Sequence, residues 1–245
     1  MSDPDADLHA AAERGNVAAA RDALRRGAQV DARSPGGRTA LMTASMRSAV
    51  EVMRVLLDAG AAVDLQAALG ETALITAASG RGRDSVLLLL EHGADPTIAD
   101  VRDRTVLMWL VDIPFHRGGV PFQSVEPLVR AGARIDAQDV FGQTALMVAV
   151  QGDLSTAVRP AVLAELVANG ADVDLPSPHG ETAMFGLVRY VDDAIDLDNG
   201  RDCIQVLLDA GADPNVRNAE GRTPLGSIAP GSLAAPMLTE LGFTA

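Results

Sequence analysis

Thr39-Ala40-Leu41-Met42 and, ten residues further on, Val52-Met53-Arg54-Val55-Leu56-Leu57-Asp58-Ala59-Gly60-Ala61 decide how this chain folds. A threonine ahead of an apolar run offers a hydroxyl to the free amides of a helix start, which predicts a first helix, A, from Ala40. The second run is amphipathic and stops at a glycine, the residue that most readily takes the left-handed conformation ending a helix, which predicts a second helix, B. Both marks recur outward from this point. Gly-Ala pairs begin at Gly27, Gly60, Gly93, Gly132, Gly170 and Gly211, and threonines stand in register at Thr39, Thr72, Thr105, Thr144, Thr182 and Thr223. Both series advance by 33, 33, 39, 38 and 41 residues. Two marks moving together define one structural unit repeated along the chain.

Between each Gly-Ala and the next threonine lies a short link such as Asp31-Ala32-Arg33-Ser34-Pro35-Gly36-Gly37-Arg38, whose turn residues predict a hairpin-like finger. The unit is therefore finger, helix A, helix B. The segments Gly37-Arg38-Thr39-Ala40-Leu41, Gly70-Glu71-Thr72-Ala73-Leu74, Gly142-Gln143-Thr144-Ala145-Leu146, Gly180-Glu181-Thr182-Ala183-Met184 and Gly221-Arg222-Thr223-Pro224-Leu225 carry a closer likeness, with Asp103 replacing the glycine before Arg104-Thr105. On these residues the chain resembles the ankyrin-repeat family, whose units of about 33 residues carry a T-P-L-H-x-A signature. The resemblance implies an all-α solenoid of about seven helix-pair units in one domain over residues 1–245. Its parts would be an N-terminal cap at 4–30, internal repeats at 31–64, 65–97, 98–136, 137–174 and 175–215, and a shortened C-terminal cap at 216–245 that ends in apolar Leu241 and Phe243. The signature histidine is replaced by Met42, Ile75, Met108, Met147, Phe185 and Gly226, so apolar packing stands in for its hydrogen bonds.

Composition narrows the function classes. Aromatics are only 3% of the 245 residues against 48% hydrophobic overall, so the core is built from Ala, Leu and Val. The formal net charge of -13 repels phosphate backbones, which argues against nucleic acid as a partner. All the formal positive charge is arginine and there is no lysine, which excludes a Schiff-base lysine and a phosphate-loop lysine. Cys203 is the one cysteine, so no internal disulfide and no multi-cysteine metal site is expected. The acidic start Met1-Ser2-Asp3-Pro4-Asp5 lacks the apolar core of a secretion signal, and no stretch is long enough to span a membrane; a soluble, cytoplasmic protein is expected.

The resemblance implies that function sits on the concave face, made of fingertips and the exposed side of helix A, and that it consists of binding another protein. Matched position by position, that face comprises Arg33, Arg38, Arg47, Leu69, Glu71, Arg102, Arg104, Val140, Phe141, Gln143, His179, Arg217 and Arg222. Arginines recur there although the chain is acidic, and they suit an acidic partner surface or simply keep the loops solvated. Phe141 is a fingertip aromatic without an evident core to fill.

The longer steps fall between helix A and helix B of three consecutive repeats, which predicts enlarged loops around Asp112 to Val125, Gln151 to Pro160 and Tyr190 to Asp202. A second surface there would use Phe115, His116, Phe122, Tyr190, Asp193, Asp196 and Asp198. The Asp192–Gly200 run has oxygen ligands but does not place its glycine at the sixth position of a calcium loop, so no metal or other cofactor is expected. His9, His92, His116 and His179 are scattered over separate repeats with no nucleophile or metal motif, so no catalytic residue is expected. Gly80-Arg81-Gly82 lacks the third glycine of a dinucleotide loop, and Trp109 reads as core packing. The rivals to a protein-binding module are a metal-dependent or small-molecule activity on the enlarged loops, or a spacer in a larger assembly.

Overall fold

The computed structural model describes residues 3–80, 82–112, 125–151, 159–193, 197–229 and 231–245. Among them there are helices and turns but no strand, so the chain is all-α. Contacts within the chain sort into two compact units, Met1–Leu110 with Glu126–Ala133, and Val111–Val125 with Arg134–Ala245.

The first unit holds α1 (Pro4–Arg14), α2 (Val17–Arg25), α3 (Ala40–Met46), α4 (Val50–Asp58), α5 (Ala73–Ser79), α6 (Arg83–Glu91), most of α7 (Val106–Val111) and most of α8 (Val125–Arg130). Helix A of one repeat lies on helix A of the next, α1 on α3 on α5, while α2, α4 and α6 form the helix-B layer. Small residues permit the close approach: Ala11, Ala12, Ala40, Ala44, Ala73, Ala77 and Ala78 are all buried. Val52, Met53 and Leu56 of α4 close the layer behind them, each contributing about 1.5–3 kcal/mol by burial. In the second unit α9 (Ala145–Gln151) packs on α11 (Ala183–Asp193), and α10 (Arg159–Ala168) packs on α12 (Leu197–Asp209). A 3-10 turn (Leu225–Ser227) and α13 (Ala235–Glu240) finish the chain.

The two sequence marks do what their chemistry predicts at most positions. Thr39, Thr72 and Thr144 accept the amides of Met42, Ile75 and Met147 at 3.2 to 3.3 Å, closing the starts of α3, α5 and α9. Gly27, Gly60, Gly93, Gly132, Gly170 and Gly211 all have positive φ, between 80° and 108°. The hydroxyls of Thr105 and Thr182 depart from the pattern, being buried without a hydrogen-bond partner. Met42, Ile75, Met108, Met147 and Phe185 are buried where the signature histidine would stand, as expected of apolar replacements.

Each finger is a closed hairpin turn. The amide of residues 34, 67, 100, 139, 177 and 218 donates to the carbonyl four residues on, at 2.8 to 3.0 Å. Side chains of Asp100, Asp139 and Asn218 each accept two further amides of their own turn at 2.8 to 3.0 Å, the local bonding for which Asx residues are selected. At the third tip Asp103 holds a positive φ of 58° where the other fingers use glycine.

One expectation changes, and one open point is answered. The third enlarged loop, Tyr190 to Asp202, is largely helix: α11 runs to Asp193 and α12 starts at Leu197, so the inserted residues lengthen both helices to 11 and 13 residues. Gly200 makes this possible, since a Cβ there would lie 2.6 Å from Val191 Cγ2. The apolar C-terminal end folds back on its own repeat. Phe243 is buried, Thr244 N donates to Asn215 Oδ1 at 2.7 Å, and Thr223 Oγ1 donates to Thr244 O at 2.6 Å. Residues 113–124, 152–158 and 194–196, and with them Phe115, His116, Phe122 and Asp196, lie outside the described residues.

Candidate functional site

The fingertips expose large apolar side chains. Leu69 is 62% and Val101 64% exposed in the first unit; Val140 is 54% and Phe141 64% exposed in the second. Turn geometry explains why they point outward, because the finger backbone spends its own polar groups on closing the hairpin and leaves the tip side chains without a core.

In the second unit Val140 and Phe141 form one wall of a groove of about 560 Å³. Its floor lies where α9 and α11 meet, lined by the buried Met147 and Val150 and by Gly186, and its far wall is Pro178, His179 and Glu181 of the following finger. Gly186 keeps the floor low; a Cβ there would stand 3.1 Å from Val150 Cγ2. Arg189 closes one end, donating from both terminal nitrogens to Glu181 at 2.7 Å each. That pairing holds the Glu181 carboxyl below its ordinary range, mainly through the hydrogen bond from Arg189, and raises the Arg189 guanidinium correspondingly.

A smaller pocket of about 150 Å³ in the first unit opens between Leu69 and Val101 above Trp109. Here the sequence expectation was a core tryptophan, and the structure differs. Trp109 is only half-buried, its Nε1 donates to Asp100 Oδ2 at 3.0 Å, and the Arg104 guanidinium lies 4.3 Å from its ring centre. A signal for this was present in the register. The place four residues after each repeat threonine holds Thr43, Thr76, Trp109, Val148, Gly186 and Ser227, mostly small or polar, as suits a helix-A position facing the fingers rather than the core.

Several predicted contact arginines are engaged within the fold. Arg33 donates from Nη1 to Gly37 O and to Gln66 O of the next finger, at 2.7 Å each. Gln66 and Gln138 bridge to their next fingers in the same way. Arg217 donates to Gly221 O at 2.6 Å, and Arg222 pairs with Glu220 at 2.7 Å. Arg38 meets Glu71 at 3.4 Å and Arg47 meets Glu13 at 3.0 Å; Glu71 is buried, so it supports the face rather than presenting a surface. Gln143 donates to Gln151 at 3.0 Å, the same finger-to-helix-A clamp that Glu181 and Arg189 make. Arg102 and His179 are exposed.

Of the second predicted surface, Tyr190 is half-buried in α11, Asp193 ends that helix, and Asp198 is exposed in the first turn of α12. Among the described residues no three His, Cys, Asp or Glu side chains come together as a metal site. His9 and His92 are hydrogen-bonded to the carbonyls of Ala32 and Leu88 at 3.0 and 2.8 Å. Burial pushes the Cys203 thiol up to about 12, which makes it a poor nucleophile at neutral pH. Gly80 and Gly82 serve packing, since Cβ atoms there would meet Met46 O at 2.7 Å and Ser48 Oγ at 2.6 Å.

A family model for ankyrin repeats, in three copies, matches residues 8–100 and 116–218. The chain belongs to the ankyrin-repeat family. The human ASB11 ankyrin repeat domain aligns with a TM-score of 0.78 and 24% identity over 97% of this chain and 98% of that one. An ankyrin repeat domain from Acinetobacter baumannii aligns with a TM-score of 0.69 and 25% identity over 84% and 98% of the two chains. A curated relative, an intracellular phospholipase A2 of Caenorhabditis elegans, is 34% identical over 100 residues, which is 39% of this chain and 8% of that protein. The chain therefore spans a small fraction of that relative's length. Among the described residues no helix of this ankyrin-repeat chain is long and apolar enough to cross a membrane.

Proposed function

We propose that this chain is a non-catalytic module that holds a protein partner on its finger and helix-A face. Repeats of this family are protein-interaction modules, and the observation that carries the assignment to this face is the exposure of Leu69, Val101, Val140 and Phe141 at fingertips, with grooves beside them. An aromatic anchor at the wall of a groove is the side chain that interface energetics favour most. The non-catalytic part is supported by how the reactive groups are employed, with two histidines tied to carbonyls and the thiol buried. The seven-repeat division and a cytoplasmic setting belong to the same reading.

Affinity capture from an extract of the source organism tests it. The intact chain and an Arg54→Glu variant on helix B are expected to retain the same protein, and a Val140→Ser/Phe141→Ser variant is expected to lose it, the aromatic alone being worth about 2 kcal/mol. Equal retention by all three forms, or by none, contradicts the reading.

A further inference from the structure

We infer that the pocket over Trp109 receives a segment of the protein partner in which an aspartate or glutamate neighbours an aliphatic residue, the acid meeting Arg102 and the aliphatic side chain resting on the indole. This rests on the protein-binding reading and names the chemistry of one contact.

The indole is a prepared platform. Asp100 fixes its Nε1 at 3.0 Å and Arg104 covers part of its face, so little side-chain freedom is left to lose when a ligand arrives. The volume, about 150 Å³, matches a cavity that takes a single benzene-sized group, which suits one branched aliphatic side chain and excludes a drug-sized ligand. Leu69 and Val101 stand exposed on the two fingertips that frame it, and those tips are tied together by Val101 N donating to Leu69 O at 3.1 Å.

The charge requirement follows from which groups are already satisfied. Asp100 Oδ1 accepts the amides of Arg102 and Arg104 at 2.8 and 3.0 Å, and its Oδ2 takes the indole, so most of the carboxylate's acceptor positions are already filled from within the fold. Glu71 is buried against Arg38. Arg102 differs from the other fingertip arginines: its side chain is exposed and meets no acid or carbonyl among the described residues, while its backbone is fixed by the Asp100 turn. A cation held at a fixed place beside two exposed aliphatic side chains complements a carboxylate next to an aliphatic residue, and it repels a basic segment.

A displayed library of random twelve-residue peptides, selected on the intact chain, tests this, with affinities read from the emission of Trp109, the chain's one tryptophan. Enriched peptides are expected to pair Asp or Glu with Leu, Ile or Val, to shift that emission, and to weaken with added salt. Arg102→Glu is expected to cost about fivefold or more in affinity, as is Val101→Ser, while Arg54→Glu on helix B leaves it within about twofold. Among the described residues the Arg102 side chain makes no hydrogen bond or ion pair, and circular dichroism of the variant checks that it folds. Enriched peptides without acids, peptides indifferent to Arg102→Glu, or no enrichment at all would overturn the inference. Peptides that respond only to Phe141→Ser would overturn it while leaving the protein-binding reading standing; failure of the capture experiment as well would remove both.

Discussion

Glu181 shows how one side chain serves the groove. Its paired bonds to Arg189 hold the wall in place, and its pKa lies below the ordinary 4.5 because the ionised form is the one the guanidinium binds. A lowered folded value means that the stabilisation is complete above the unfolded carboxylate range and is lost as pH falls through the folded value. Both groups keep solvent contact, so the contribution is at most about 1 kcal/mol. Urea midpoints of the intact chain and Glu181→Gln are expected to differ near neutrality and to converge as pH falls through the lowered folded value of Glu181; a difference that stays constant with pH contradicts this. Gly80 tests packing at the same scale. A methyl group there must displace the Met46 carbonyl, so Gly80→Ala is expected to lower unfolding stability by about 1–3 kcal/mol. A neutral result would mean that the α3 and α5 ends have slack the geometry does not show.

At the scale of the element, the threonines separate into two kinds. Thr39 caps α3, so Thr39→Val is expected to cost about 1 kcal/mol. The Thr182 hydroxyl is buried without a partner, so Thr182→Val is expected to be neutral or stabilising in the same denaturation measurement. Equal costs for the two would contradict the assignment of caps. The helix starts were legible because threonine and glycine act locally: a hydroxyl three residues from an amide and a positive φ need no tertiary context. Fingers were legible for the same reason. What the sequence left hidden depended on neighbours. The extra residues around Tyr190–Asp202 read as loop because the added length falls between the two helix marks, yet Gly200 lets α12 close on Val191 and helix takes most of them up. Trp109 read as core because a hydrophobic residue between Leu107 and Leu110 satisfies a helical stripe, while Asp100 and Arg104, which turn it toward the finger, sit in another element. Arginine contacts such as Arg33 to Gln66 O span a whole repeat and leave no local trace.

At the scale of the whole molecule, a chain of net charge -13 places arginines on its fingers and spends most of them on its own carbonyls and acids. What remains presented is chiefly apolar, with Arg102 and His179 beside it: fingertips over a groove in one unit and over an indole in the other. An interaction module built this way keeps its recognition surface in short turns whose shape is fixed by their own hydrogen bonds, so side chains at the tips can vary while the helices behind them carry stability. The most direct measurement is photo-crosslinking in source-organism extract with a benzophenone side chain placed either at Phe141 on a finger or at Arg54 on helix B. A single partner protein captured from Phe141 and absent from Arg54 is the predicted result. Capture of that partner from Arg54 alone, or of none from Phe141, would contradict the claim that this face is where the chain binds.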